Sequence, residues 1–205
     1  MEIKERTIGS AWKKCCAKVM QEGKDFNDGE QKIKEITNLL VKIASPQKKD
    51  KIIEKKADSK MITWMMQNFF EKNPIEGWGY SYGQRLFEYN GIDQIESIIA
   101  KIKKKPETKA ATITLMNPGN DERHAPCVCL LDFKKRNRQI NLTAVFRSQD
   151  IGKKMYADAI CLGRIMQEVS DRTESKPGEL ILHIISAHVY EADFEKAIEL
   201  AGEKL

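Results

Sequence analysis

The residues able to do covalent chemistry gather between residues 123 and 190. Cys127 directly follows Pro126 in Ala-Pro-Cys at 125–127, and Phe-Arg-Ser-Gln-Asp at 146–150, Tyr-Ala-Asp at 156–158 and Ser-Ala-His-Val-Tyr at 186–190 come after it. Upstream stand Gly-Tyr-Ser-Tyr-Gly at 79–83 and Asp-Gln-Ile at 93–95. A cysteine suits nucleophilic attack because its thiolate is a strong nucleophile, and a nearby cation lowers its pKa. Arg147 carries the planar fork of donors that fits phosphate oxygens. Residues 188 and 190 alternate, so a strand places His188 and Tyr190 on one face. Plainer roles stand beside these: a buried strand thiol for Cys127, a surface ion pair for Arg147, a turn cap for Asp150 and a packed core ring for Tyr190. Cys129 shares the strand face of Cys127, but no second ligand cluster accompanies the pair, so no metal is expected.

These residues need elements to hold them. Periodicity predicts a helix over 8–22, with Trp12, Cys16 and Val19 on one stripe, and a pattern over 32–43 that fits helix or strand. Residues 45–56 read as a solvated, lysine-rich connection broken by Pro46. Helices are expected over 58–71 and, from Ile92 to Ile102, along an isoleucine stripe closed by lysines and Pro106. The stretch between them, 73–83, reads as a loop. Strands follow at 111–116, at 127–133 (apolar enough to be buried on both faces) and at 139–147, the last two joined by a basic turn at 134–138. A helix at 155–169, a strand at 179–187 and a helix at 191–203 complete the order. The expectation is an α+β fold, helices packed on a mixed β-sheet, in a single domain spanning 1–205.

Composition bounds the function. The 205 residues are 41% hydrophobic and 32% charged, an ordinary globular balance. Five cysteines, an odd number without a framework, argue for thiols rather than disulfides. The opening Met-Glu-Ile-Lys-Glu-Arg has no secretory pattern and no apolar run is long enough for a membrane, so a cytoplasmic location is expected. The net charge of +5 suits an anionic ligand such as a nucleotide. No aromatics interleave with the lysine runs at 101–105 and 134–138, which speaks against nucleic acid as partner.

Taken in order and at this spacing, the fragments resemble the thymidylate synthase superfamily, which also holds the cytidylate and deoxycytidylate hydroxymethylases. The resemblance is good over 77–195 and poor over the N-terminal third; size and opening segment look most like the archaeal synthases of methanogens. It implies that Cys127 adds to C6 of a pyrimidine nucleoside monophosphate, making C5 nucleophilic toward a one-carbon unit. It further implies that Arg147 and Ser148 grip the phosphate, that His188 and Tyr190 bind the sugar hydroxyl, and that Asp150 meets the pterin ring of the cosubstrate. Tyr82 matches the tyrosine near the reacting ring and its ordered water.

The departures bear on substrate. Val128 stands where the synthases have histidine, and Phe146 where they have glutamine. Asp158 stands where an asparagine reads uracil, and a carboxyl can accept from the cytosine amino group and, once protonated, donate to N3; a local shift that leaves Asp158 facing water is the alternative. Lys153 and Lys154 replace an apolar stretch near the folate, which suits an acidic carrier. The cosubstrate is thus expected to be methylene-tetrahydromethanopterin or methylene-tetrahydrofolate. The closing Gly-Glu-Lys-Leu does not match the Ala-Val tail that the synthases close over folate, so no such tail is expected. The catalytic glutamate of the family has no clear equivalent, leaving Glu71 and Glu76 as substitutes. Lys109 and Ala110 fall where a partner subunit supplies two phosphate-binding arginines, so a monomer or loose homodimer is expected. The leading expectation is dUMP to dTMP; the alternatives are a dCMP or CMP hydroxymethylase, and a non-catalytic nucleotide- or RNA-binding protein on the same fold.

Overall fold

The computed structural model describes residues 1–47, 49–121 and 124–202. Glu203, placed above in the last helix, and the chain end behind the tail argument lie outside the described residues, as does Lys48. In order the elements are β1 (Glu2–Glu5), α1 (Ile8–Glu22), β2 (Lys24–Asp28), β3 (Gln31–Ile43), α2 (Lys51–Lys56), α3 (Ser59–Phe70), α4 (Tyr82–Phe87) and α5 (Gln94–Lys104). The second half adds β4 (Thr112–Thr114), β5 (Val128–Arg136), β6 (Gln139–Phe146), β7 (Gln149–Asp150), α6 (Met155–Arg172), β8 (Lys176–Tyr190) and, after a 3₁₀ turn, α7 (Phe194–Gly202).

The eight strands form one mixed sheet in the order β1-β3-β8-β6-β5-β4, with β2 paired to β3 and β7 to β8. The fold is α+β, as the sequence indicates. Strand β8 is its spine: antiparallel to β3, parallel to β6 and β7. Parallel strands need a crossover, and α6 supplies the one between β6 and β8. One sheet face takes Leu142, Ala144, Phe146, Leu180, Leu182 and Ile184 into the core with the stripes of α1, α5 and α6. The alternate residues, Leu40, Val145, Ile181 and His183, stay partly exposed, and Ile185 is exposed.

Local chemistry explains the helix starts. Thr7 and Ser10 form a reciprocal capping box on α1, and Asp58 and Asp93 cap α3 and α5. Three expectations need correction. Residues 45–56 are not a bare excursion: Asp50 accepts from Ile52 N and from Gly9 N at the head of α1, so its carboxylate starts α2 and ties it to α1, while Ile52 and Ile53 pack on the core. Strand β5 is not buried on both faces. Val128, Leu131 and Phe133 are buried, whereas Leu130, Asp132 and Lys134 lie on the partly exposed face. The basic turn is shorter than 134–138: the strands run to Arg136 and Gln139, and only Asn137 and Arg138 reverse the chain, both with φ near +50 to +60°. That is the backbone of a two-residue hairpin turn, whose twist matches its strands.

Candidate active site

The open end of the β5–β6 hairpin brings Cys127 and Arg147 together. Val128 pairs with Phe146, so Cys127 and Arg147 stand opposite each other, 20 positions apart in sequence, and Arg147 N donates to Cys127 O at 2.9 Å. The register slips between Val128 and Leu130, which makes Cys129 the extra residue of a bulge. The simple alternation that would align the two thiols is therefore interrupted. Arg147 folds back on the loop before Cys127: Nε donates to Pro126 O at 3.1 Å and Nη2 to Ala125 O at 2.8 Å. Nη2 also lies 4.0 Å from Cys127 Sγ. The Cys127 thiol is half-buried. Burial pushes its pKa above the usual thiol value; the charges of Arg147 and Lys154 pull it down, while Asp158 and Cys129 push it up.

Tyr82 holds the same loop from the other side. Its hydroxyl accepts from Cys127 N at 3.2 Å and, more weakly, from Val128 N at 3.5 Å. The α4 turn reaches this point because Gly83 lies against the C-terminus of α3, where any Cβ would sit 2.2 Å from Glu71 O. Ser81 caps α4 and donates to that same carbonyl at 2.8 Å. One turn on, Arg85 forms a buried two-pronged ion pair with Asp121, donates to Leu115 O and stacks 3.7 Å over the Tyr80 ring. Asp121 in turn accepts from Asn117 N at 2.6 Å. A single short helix therefore pins both ends of the segment that leads into Cys127.

Asp158 does not face water. It is 5% exposed in the first turn of α6, and Gln149 Nε2 donates to its Oδ2 at 2.7 Å. Burial raises its carboxyl to about 7, against the lowering influence of Gln149 and Lys154. Asp150 does act as a turn cap, accepting from Lys153 N at 3.0 Å. It also pairs in register with His188 on β8, and Ile151 N donates to His188 O at 2.7 Å. Burial raises the Asp150 acid and lowers the His188 base; the Coulomb attraction between them works against both shifts. The His188 and Tyr190 rings meet edge-on with centroids 5.0 Å apart, as alternation on one strand requires. The Tyr190 hydroxyl donates to Asp28 on β2 at 2.8 Å.

Ser148 is half-buried beside Arg147. The two lysines part company. Lys154 lies near Cys127, Asp158 and His124, whereas Lys153 lines a separate cavity of about 300 Å³ with Trp12, Lys56 and Tyr156. Lys109 is not brought to Cys127 within the chain: it precedes Ala111, which bonds Phe133 near the far end of β5. At about 3.4 Å per residue that is roughly 20 Å or more away. Glu71 and Glu76 are exposed.

The sequence reading missed Gln149, Arg85, Asp121, Asp28 and His124. Gln149 lay inside a quoted fragment, but its role needs a partner nine positions on. His124, three residues before Cys127, packs edge-on against Trp78 at 4.7 Å, and burial with the charges of Arg147 and Lys154 lowers its pKa. Among the described residues no cluster fit to hold a metal occurs, and no helix is long and apolar enough to cross a membrane.

Comparison with known proteins identifies the family. A model of the thymidylate synthase family matches residues 32–204. A protein of Methanosarcina mazei described as "putative thymidylate synthase" is 34% identical over 200 residues, covering 94% of this chain and 91% of its own. Proteins with the same description from Methanothermobacter thermautotrophicus (29% over 215 residues, 97% of each chain) and Methanocaldococcus jannaschii (30% over 210 residues, 94% and 92%) are also similar. A match across most of the sequence leads to one conclusion: the chain belongs to the thymidylate synthase family, enzymes that transfer a one-carbon unit to a pyrimidine nucleotide.

Proposed function

We propose that this enzyme converts dUMP to dTMP through a covalent bond between Cys127 and C6 of the pyrimidine. The observation that carries the reading is the Arg147 guanidinium, 4.0 Å from Cys127 Sγ and bonded to the two carbonyls before it. It steadies the loop of Cys127 and favours the thiolate, while its Nη1, without a bond among the described residues, is assigned to a phosphate oxygen, with Ser148 beside it. Addition of the thiolate to C6 places electron density on C5, which then attacks the one-carbon unit; the C5 proton leaves, Cys127 is expelled, and a hydride from the reduced pterin carrier, which is oxidised in turn, converts the transferred methylene to the methyl group of dTMP. His188 and Tyr190 take the sugar hydroxyl and Asp158 the base edge. The carboxyl of Asp150, with acceptor capacity left after its turn cap, fits the N–H groups of a pterin ring. A reduced pterin carrier, methylene-tetrahydromethanopterin or methylene-tetrahydrofolate, supplies the one-carbon unit, with Lys154 flanking it and Lys153 set apart from the reacting end. Lys109, remote from Cys127 within the chain, is assigned to the phosphate of a partner's site in a loose homodimer.

A second reading, hydroxymethylation of dCMP or CMP, is favoured by one observation: a carboxyl with a pKa of about 7 is partly ionised at neutral pH, and its ionised form accepts from the amino group of cytosine. Tritium release from 5-labelled nucleotides separates the two. Exchange with dUMP alone supports the synthase, and exchange with dCMP or CMP alone the hydroxymethylase. Cys127→Ala should abolish exchange and retain nucleotide binding. Absence of exchange with every nucleotide, with and without each carrier, would remove the covalent mechanism.

A further inference from the structure

Asp158 and Gln149 are both almost fully buried, 5% and 2% exposed, and meet through one bond, Nε2 to Oδ2 at 2.7 Å. Oδ1 makes no hydrogen bond to a described residue, and Asp158 lies close enough to Cys127 and Tyr82 for its charge to act on both. An amide N–H must be met by a lone pair. When the carboxyl is neutral, Gln149 therefore selects Oδ2 as the carbonyl end and leaves the proton on Oδ1. We propose that Gln149 determines how Asp158 reads the pyrimidine: it reserves Oδ2, so the base meets Oδ1 alone, a donor in the protonated carboxyl and an acceptor in the ionised one. This rests on Asp158 facing the base, as in the function proposed above.

The exocyclic atom at ring position 4 projects beyond the ring, so a single oxygen meets it first. Uracil offers a carbonyl there, which needs a donor. Cytosine offers an amino group, which needs an acceptor. Neutral Asp158 thus selects uracil and ionised Asp158 selects cytosine. The surroundings make the exchange accessible. Lys154, at the head of the same helix, favours the ionised form, as does the Gln149 bond; burial and Asp150 on β7 oppose it. Cys127, Tyr82 and Cys161, the other titratable groups nearby, are all raised above their ordinary values, so they stay neutral while Asp158 titrates.

The test is the ratio of dissociation constants for dCMP and dUMP on the wild-type protein, by calorimetry from pH 5.5 to 8.5. The second phosphate ionisation is common to both ligands and cancels in the ratio. The expected ratio favours dUMP at low pH and shifts toward dCMP by about tenfold per pH unit near the midpoint. Gln149→Leu removes a bond that favours the ionised form and should move the midpoint to higher pH, by about one unit for a charge-assisted bond. A variant that does not fold leaves an infrared measurement on the wild type: a carboxylic C=O band that fades through the same midpoint and is absent from Asp158→Asn. A flat ratio with both nucleotides bound, or a shift toward dUMP as pH rises, overturns the proposal while leaving the nucleotide site intact. Failure of both nucleotides to bind at any pH overturns the site assignment and this inference together.

Discussion

Replacing Asp158 by Asn should make the protein more stable, and increasingly so as pH rises. A carboxyl with pKa 3.8 when exposed and about 7 when folded binds its proton more tightly in the native state. The unfolded chain therefore releases the proton first, and stability falls with increasing pH between those two values. The contribution is fully favourable only below about 4. Ionising this group therefore opposes folding by roughly 2 kcal/mol at pH 5 and roughly 4 kcal/mol at pH 8. Asparagine is nearly the same shape and carries no such penalty, and its amide oxygen can still accept from Gln149. The advantage of Asp158→Asn over wild type should therefore grow by about 2–3 kcal/mol between pH 5 and pH 8. For a chain of this length that is roughly 5–10 °C in Tm. Urea denaturation of both proteins at half-unit pH steps, without nucleotide, measures the growth directly. A difference that is independent of pH, or that shrinks as pH rises, would show that Asp158 is ionised in the folded protein at neutral pH, and the account of its burial would be wrong.

Three further outcomes follow from the site. Cys127 in the empty protein should alkylate more slowly at pH 7 than a free thiol, since burial holds its pKa above the ordinary value; Arg147→Gln should push the alkylation profile to still higher pH, and an unchanged profile would show that the guanidinium does not act on the sulfur. Tyr82→Phe strips the acceptor from Cys127 N and Val128 N and should cost about 1–3 kcal/mol in urea denaturation, together with slower C5 hydrogen exchange; an unaltered midpoint would remove the hydroxyl from the account of the loop. Arg85→Met alone should destabilise by roughly 3–5 kcal/mol because it strands the buried Asp121, whereas Arg85→Met with Asp121→Leu should recover a large part of that loss. Additive losses in that double-mutant cycle would contradict the pairing.

Some of this arrangement could be read from the chain and some could not, for identifiable reasons. The β6 alternation and the α5 isoleucine stripe are local signals, and both elements form where they point. Residues 32–43 fit either period because the buried positions Ile33, Ile36 and Leu39 step by three before Leu39, Val41 and Ile43 settle to two; Asn38, with φ of 57°, sits at the change, and pairing with β8 decides for the strand. Helix α2 was hidden because its cap, Asp50, is shared with Gly9, 41 positions away. The fragments around Cys127 and Arg147 were visible as residue types, but their meeting depends on a two-residue turn and a strand register. The Gln149–Asp158 bond needs β7 to seat on β8 and α6 to begin at the right point, which only the whole sheet provides.

Arg147 has one further consequence. Its guanidinium is already anchored to the carbonyls of residues 125 and 126 before any ligand arrives. On the proposed assignment, a phosphate meets a fork whose rotamer freedom has been given up during folding, so little ordering entropy opposes its capture. The same fork holds the peptide planes that aim Cys127. Charge neutralised at one end of the nucleotide is thereby felt at the sulfur that attacks the other end. A nucleoside without its phosphate should lose rate as well as affinity, because the distant anion helps to set the angle and ionisation of the thiol.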